Sequence, residues 1–194
     1  LQQHVSYCLF GSKKHLMNEL FEKKNLPFYK FGDAIYLAKI ETKYWIEYIC
    51  KRFENTGKHI SPELAEEICR LVDNHSSYVQ QLSWLLWIRT INTATTEQLS
   101  YALEDLLDQN NILFQSETEN LSAYQMNFLK AIVDGIHTKF SSKEVISKYN
   151  LGTSANIVRL KNALLQKELI ETNGKEIVLA DPVFGVWFKK EMLY

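Results

Sequence analysis

Much that would mark a particular chemistry is missing from these 194 residues. The three cysteines, Cys8, Cys50 and Cys69, show no C-x-x-C spacing, and each lies inside an apolar-patterned segment. That pattern reads as reduced, buried thiols in a reducing compartment, not as a disulfide frame. The five histidines, His4, His15, His59, His75 and His137, are scattered, with no H-x-x-x-H pair and no Cys/His cluster, so no metal is expected. Every apolar stretch falls well short of the ~20 residues that cross a bilayer. Residues 5–10 are likewise too short for a signal-peptide core, which needs at least ~7 apolar residues. A cytoplasmic protein without membrane contact is the expectation. There is no nucleophile–base constellation, no carboxylate pair on one helix face and no glycine-rich cradle. Of the two Gly-Lys pairs, Gly57-Lys58 leads into His59 and Gly174-Lys175 into Glu176, so neither completes G-x-x-x-x-G-K-[ST]. Catalysis by this chain alone is not expected.

What is present suits a folded protein of one or two domains. Apolar residues make up 46% and charged residues 23%, an ordinary globular balance that supports a real core. The net charge is −1, but its sign is uneven. Residues 1–121 carry 12 basic and 16 acidic side chains, whereas residues 122–194 carry 10 and 7. A surplus of that size does not by itself announce nucleic acid.

Three blocks follow one another. Residues 1–40 read as the end of an α/β core. Val5-Ser6-Tyr7-Cys8-Leu9-Phe10 has the look of a buried parallel strand that stops on Gly11-Ser12 and enters a helix over residues 12–24. Ala34-Ile35-Tyr36-Leu37-Ala38 reads as a second strand. A phosphate-binding loop is expected ahead of such a strand, so the chain reads as the back portion of a larger protein.

Residues 41–120 are helical throughout. The first helix covers residues 41–55, with Trp45, Ile46, Ile49 and Phe53 on one face. Ser61-Pro62 opens the second, which turns Leu64, Ile68, Leu71 and Val72 inward. The third, residues 77–91, is apolar nearly all round and is expected at the centre of a bundle. The fourth covers residues 96–110.

Residues 121–194 have another rhythm. Helices over residues 122–134, from Ser141 or Ser142 to Gly152, and from Thr153 onward precede two short strands, residues 169–172 and 176–180. Asn173-Gly174 is the turn signal between them. Three helices and a β-hairpin make a winged helix-turn-helix. Asp181-Pro182 then opens a last helix with Phe184, Trp187 and Phe188. The expected fold class is mainly α: an α/β remnant, a helical bundle and a winged helix.

The order of four stretches resembles the archaeal-type ATPase family, a P-loop branch of the AAA+ and STAND kind. Leu9-Phe10-Gly11-Ser12-Lys13-Lys14-His15-Leu16-Met17 looks like the family's sensor-1 strand and turn, and Pro27-Phe28-Tyr29 resembles the loop after it. His75-Ser76-Ser77-Tyr78-Val79-Gln80-Gln81 is similar to the lid element G-H-P-x-x-x-Q, with Asn74 where the family has glycine and Ser76 where it has proline. Gly152-Thr153 through Asp181-Pro182-Val183-Phe184 looks like the closing winged helix.

The resemblance implies a lid and winged helix that close over ATP and Mg2+ held by an absent P-loop core and relay nucleotide state to a partner. No nucleotide is expected on this chain alone. Gly11, Ser12, His75 and Ser76 become candidate nucleotide contacts. Ser12 also suits a helix N-cap, and His75 a capping or core position. The partners implied are the P-loop core, a protein reached through the winged helix, and a second copy through unpaired strands. The alternative is a self-sufficient winged-helix DNA-binding regulator with a helical oligomerisation domain. There Asn156, Arg159, Asn162 and Gln166, with Lys161 nearby and Lys175 at the wing, would face a groove. So few basic groups imply only weak DNA binding.

Overall fold

The computed structural model describes residues 7–11, 17, 20–30, 32–33 and 35–193. The chain divides into two units, Leu1–Ala38 and Lys39–Tyr194.

In the first unit, Met17 and residues 20–22 are helical, while residues 7–11 and 35–38 carry no strand. The expected strands over 5–10 and 34–38 are therefore not formed where they are described. A buried parallel strand needs a ladder on each side for its amides and carbonyls. Among the described residues neither stretch has one, and Phe10 and Leu37 are 92% and 93% exposed.

The second unit begins with a four-helix bundle. Helix α1 (Thr42–Glu54) buries Trp45, Ile49 and Phe53, one stripe at four-residue spacing. Helix α2 (Pro62–Leu71) starts where the Ser61 hydroxyl accepts the Leu64 amide at 3.2 Å, with Pro62 in the first turn. Helix α3 (Ser76–Arg89) buries Tyr78, Val79, Leu82, Leu85 and Leu86. Helix α4 (Thr96–Glu119) opens on a reciprocal capping box between Thr95 and Gln98. The loops α1–α2 and α3–α4 are zipped together: His59 donates its amide to Asn92 O at 2.7 Å and accepts from Ala94 N at 2.8 Å. Gly57-Lys58 serves this joint, since Lys58 Nζ donates to the Trp87 carbonyl at 2.6 Å near the end of α3.

Two expectations for the bundle are corrected. Helix α3 is not enclosed, because α2 and α4 cover one side and Trp84 is 57% exposed on the other. Helix α4 runs on past Asn110 to Glu119, its periodicity continued by buried Phe114 and Thr118. The thiols also differ from expectation. Cys8 is exposed, Cys50 half-buried and only Cys69 fully buried, where burial pushes it up to about 11. No described helix is long and apolar enough to cross a membrane.

Helices α5 (Ala123–Val133), α6 (Lys143–Tyr149) and α7 (Ser154–Gln166) follow, the first two capped by Ser122 and Ser142. Strands β1 (Ile170–Asn173) and β2 (Glu176–Leu179) pair antiparallel, with Ile170 opposite Leu179. The turn residues are Gly174-Lys175, one place later than expected, and Asn173 belongs to the strand. Gly174 sits at φ +61 and Lys175 is outside the positive-φ region, which is a type II′ turn. The Ile177 amide donates to the His137 carbonyl at 2.9 Å, so the segment between α5 and α6 borders the free edge of β2. The result is a winged helix. Its last helix, α8 (Pro182–Leu193), returns to α4.

That return fuses the bundle to the winged helix. Phe114 of α4 lies 5.4 Å from Phe184 and 5.6 Å from Trp187, ring to ring. Trp187 Nε1 donates to Asn111 Oδ1 at 2.8 Å. Helix α4 thus contributes its first half to one core and its second half to the next.

Candidate functional site

The turn between α2 and α3 is built from two consecutive left-handed residues, Asp73 at φ +48 and Asn74 at φ +53. Asparagine is among the few residues other than glycine that adopt this conformation at small cost. The departure from glycine at position 74 therefore preserves the backbone. Ser76 in place of proline does likewise, since it is the first residue of α3, the helical position that proline favours. The turn is fastened to the start of α1. Asn74 Nδ2 donates to Thr42 Oγ1 at 3.0 Å, and Lys39 Nζ reaches the Asp73 carbonyl at 2.9 Å and its carboxylate at 2.6 Å. A shallow open depression lies there, lined by residues 39–43 and Asn74.

His75 occupies the N-cap position of α3, but its side chain caps nothing. Its Nδ1 is buried with no protein partner. The ring rests 4.8 Å from that of Tyr78. Ser76 and Ser77 are exposed, and no acidic side chain lies in the first turn. The positive end of the helix dipole is therefore uncompensated by charge at this point.

One turn along α3, the Tyr78 hydroxyl donates to Asp181 Oδ2 at 2.6 Å. The other carboxylate oxygen, Oδ1, accepts the Val183 and Phe184 amides at 2.8 and 3.0 Å, capping α8. Burial pushes the Tyr78 phenol well above its ordinary value, and the neighbouring Asp181 adds to this. Burial also raises the carboxyl of Glu117, with the charge of Asp181 second. A carboxyl whose folded pKa lies above its unfolded one costs stability while ionised, and the cost fades as pH falls through the folded value. Glu117→Gln is therefore expected to stabilise the chain at pH 7, by about 0.5 kcal/mol after solvent screening. Urea melts between pH 8 and pH 4.5 check this, because the advantage of the variant must shrink as the pH drops.

The candidate nucleotide residues are placed as follows. His75 and Ser76 stand side by side at the turn. Gly11 is exposed in the first unit, where an added Cβ would meet Met17 Sδ at 3.2 Å. Ser12 lies outside the described residues. Among the groove-facing candidates, Arg159, Asn162 and Gln166 are exposed on one side of α7, Lys161 is half-buried, and Lys175 is in the hairpin turn. Asn156 is half-buried and donates to the Leu151 carbonyl at 3.0 Å, so its amide is engaged in the loop ahead of α7. The centre of the outward face is instead Val158, 62% exposed. The ties Tyr78–Asp181 and Asn111–Trp187 had no local sequence signal, since each joins residues more than seventy apart.

Residues 112–190 match the family model of a probable winged helix domain. Among solved structures, a Walker-type ATPase of Pyrococcus abyssi is similar at a TM-score of 0.62 and 18% sequence identity. The likeness covers 90% of this chain and 50% of that one, so this chain spans half the length of its structural neighbour. No curated protein matches. The chain thus joins a helical bundle to a winged helix in a fold like that of part of a Walker-type ATPase.

Proposed function

We propose that this chain is the lid and winged-helix part of an ATP-binding regulatory ATPase. It would close over nucleotide held by a P-loop core and pass the nucleotide state to a protein partner. The observation that carries this reading is the extent of the likeness to the Pyrococcus Walker-type ATPase. It runs through bundle and winged helix alike, over 90% of the chain, where a generic winged helix would match only the last two fifths or so.

The residues of the α2–α3 turn fit one end of such a ligand. An unpartnered nitrogen on His75 and the exposed hydroxyl of Ser76 offer hydrogen-bonding groups of the kind that suit the base-facing side of a lid. By resemblance alone, Gly11 and Ser12 are candidates for contact with the phosphates. A bound ATP with Mg2+ supplies the cleavable phosphoanhydride; these residues bind and orient. The phosphates themselves need a cradle of backbone amides, which the sequence of this chain does not provide. Arg159 is the one exposed basic side chain among the groove-facing residues of α7, too few for many phosphate contacts, which favours a protein over DNA as the partner of the winged helix.

Titration calorimetry with Mg-ATP tests the reading. The 194-residue chain alone should show no affinity tighter than about 1 mM. The protein encoded with the reading frame upstream should carry G-x-x-x-x-G-K-[ST] and bind Mg-ATP, with His75→Ala weakening that binding about tenfold. Micromolar affinity in the isolated chain, or no phosphate loop upstream, overturns the proposal.

A further inference from the structure

We infer that Tyr78 is a positioning residue that couples the α2–α3 turn to the rotational setting of the winged helix. Two kinds of tie join bundle and winged helix. One runs along α4, where Phe114 packs against Phe184 and Trp187 and Asn111 bonds Trp187. The other reaches α8 from α3, away from the α4 axis: the Tyr78–Asp181 hydrogen bond, joining residues 103 apart in the chain at 2.6 Å. A tie off that axis opposes rotation of α8 about α4. Its two ends are informative. Tyr78, almost fully buried, carries the His75 ring against its own at 4.8 Å. Asp181 holds the first amides of α8 through its other oxygen. Movement of His75 therefore has a short path of three contacts to α8. A displacement of the Tyr78 hydroxyl must either stretch a charge-assisted bond or turn the winged helix, and such bonds are the stronger kind.

The inference deepens the nucleotide reading, on which it rests for the identity of what moves His75. The coupling itself belongs to this chain and can be measured without nucleotide. In 1H–15N spectra of the 194-residue chain, His75→Ala should shift the amides of Val183 and Phe184 and the indole N–H of Trp187. In a Tyr78→Phe background, which keeps the ring contact and removes the hydroxyl, those shifts should fall at least fivefold. Asp181→Ser, whose side chain still caps α8 but is too short for Tyr78, should give the same loss, and it serves as well if Tyr78→Phe folds poorly. Shifts of unchanged size in both backgrounds, or no shift from His75→Ala in the wild type, overturn the inference. A merely structural tie would lower stability in these variants yet leave the transmitted shift in place. Lost coupling with Mg-ATP binding intact sinks this inference alone; intact coupling without Mg-ATP binding in the longer protein sinks only the nucleotide reading.

Discussion

Trp187→Ala is expected to cost about 4 kcal/mol and to melt the bundle and the winged helix together. The indole is 1% exposed and packs against Phe114 of α4 and Phe184 of its own helix. Removing it empties the point at which the two cores meet, and truncations of this size at buried aromatic sites cost ~3–5 kcal/mol. A domain typically has only ~5–15 kcal/mol in total, so the variant should be partly unfolded near 37 °C. Trp187→Phe keeps most of the volume but loses the bond to Asn111, and should cost about 1–2 kcal/mol. Denaturation followed by near-ultraviolet and far-ultraviolet circular dichroism checks the joint melting. Separate transitions for bundle and winged helix would mean that α4 does not unite the cores.

Asp181→Ala should cost about 3 kcal/mol. The cap on α8 accounts for ~1 kcal/mol, and a Tyr78 hydroxyl left buried without an acceptor for another ~1–3 kcal/mol. Tyr78→Phe should cost less, about 1 kcal/mol, because Asp181 keeps both amide donors. The double variant should then be milder than Asp181→Ala alone, by about 1–2 kcal/mol, because removing the hydroxyl also removes the buried group left without an acceptor. Urea midpoints with unchanged m-values would establish this. A midpoint for Asp181→Ala equal to that of the wild type would show that the carboxylate stabilises nothing.

Sequence alone revealed most of what is local. Helix starts were legible because their caps are written in adjacent residues: Ser61 with Pro62, Ser122 with Gln125, and Asp181 with Pro182. The end of α4 was not, because no glycine or proline interrupts the helix and the buried Phe114 and Thr118 are separated by polar residues that resemble a loop. The hairpin slipped by one place since Asn173-Gly174 and Gly174-Lys175 both satisfy turn chemistry. Register settles it, with Ile170 and Ile177 turned to the core. Residues 5–10 and 34–38 have strand patterning, yet a pattern cannot form a ladder without a neighbour. The α2–α3 turn stands out in the sequence only through resemblance; what the structure adds is its backbone, with Asp73 and Asn74 both left-handed. Its link to α8 depends on a pairing between distant residues that no spacing rule encodes.

Helix α4 also has a mechanical consequence. Twenty-four residues at ~1.5 Å each make a rod of roughly 36 Å. Its first half is clamped between bundle helices, and its far end carries α8 and the rest of the winged helix. A tilt of about 10° of the free half, roughly 18 Å long, sweeps the far end through about 3 Å, as simple leverage requires. Small tilts of this rod at the bundle would thereby become displacements of about half a helical turn at the winged helix.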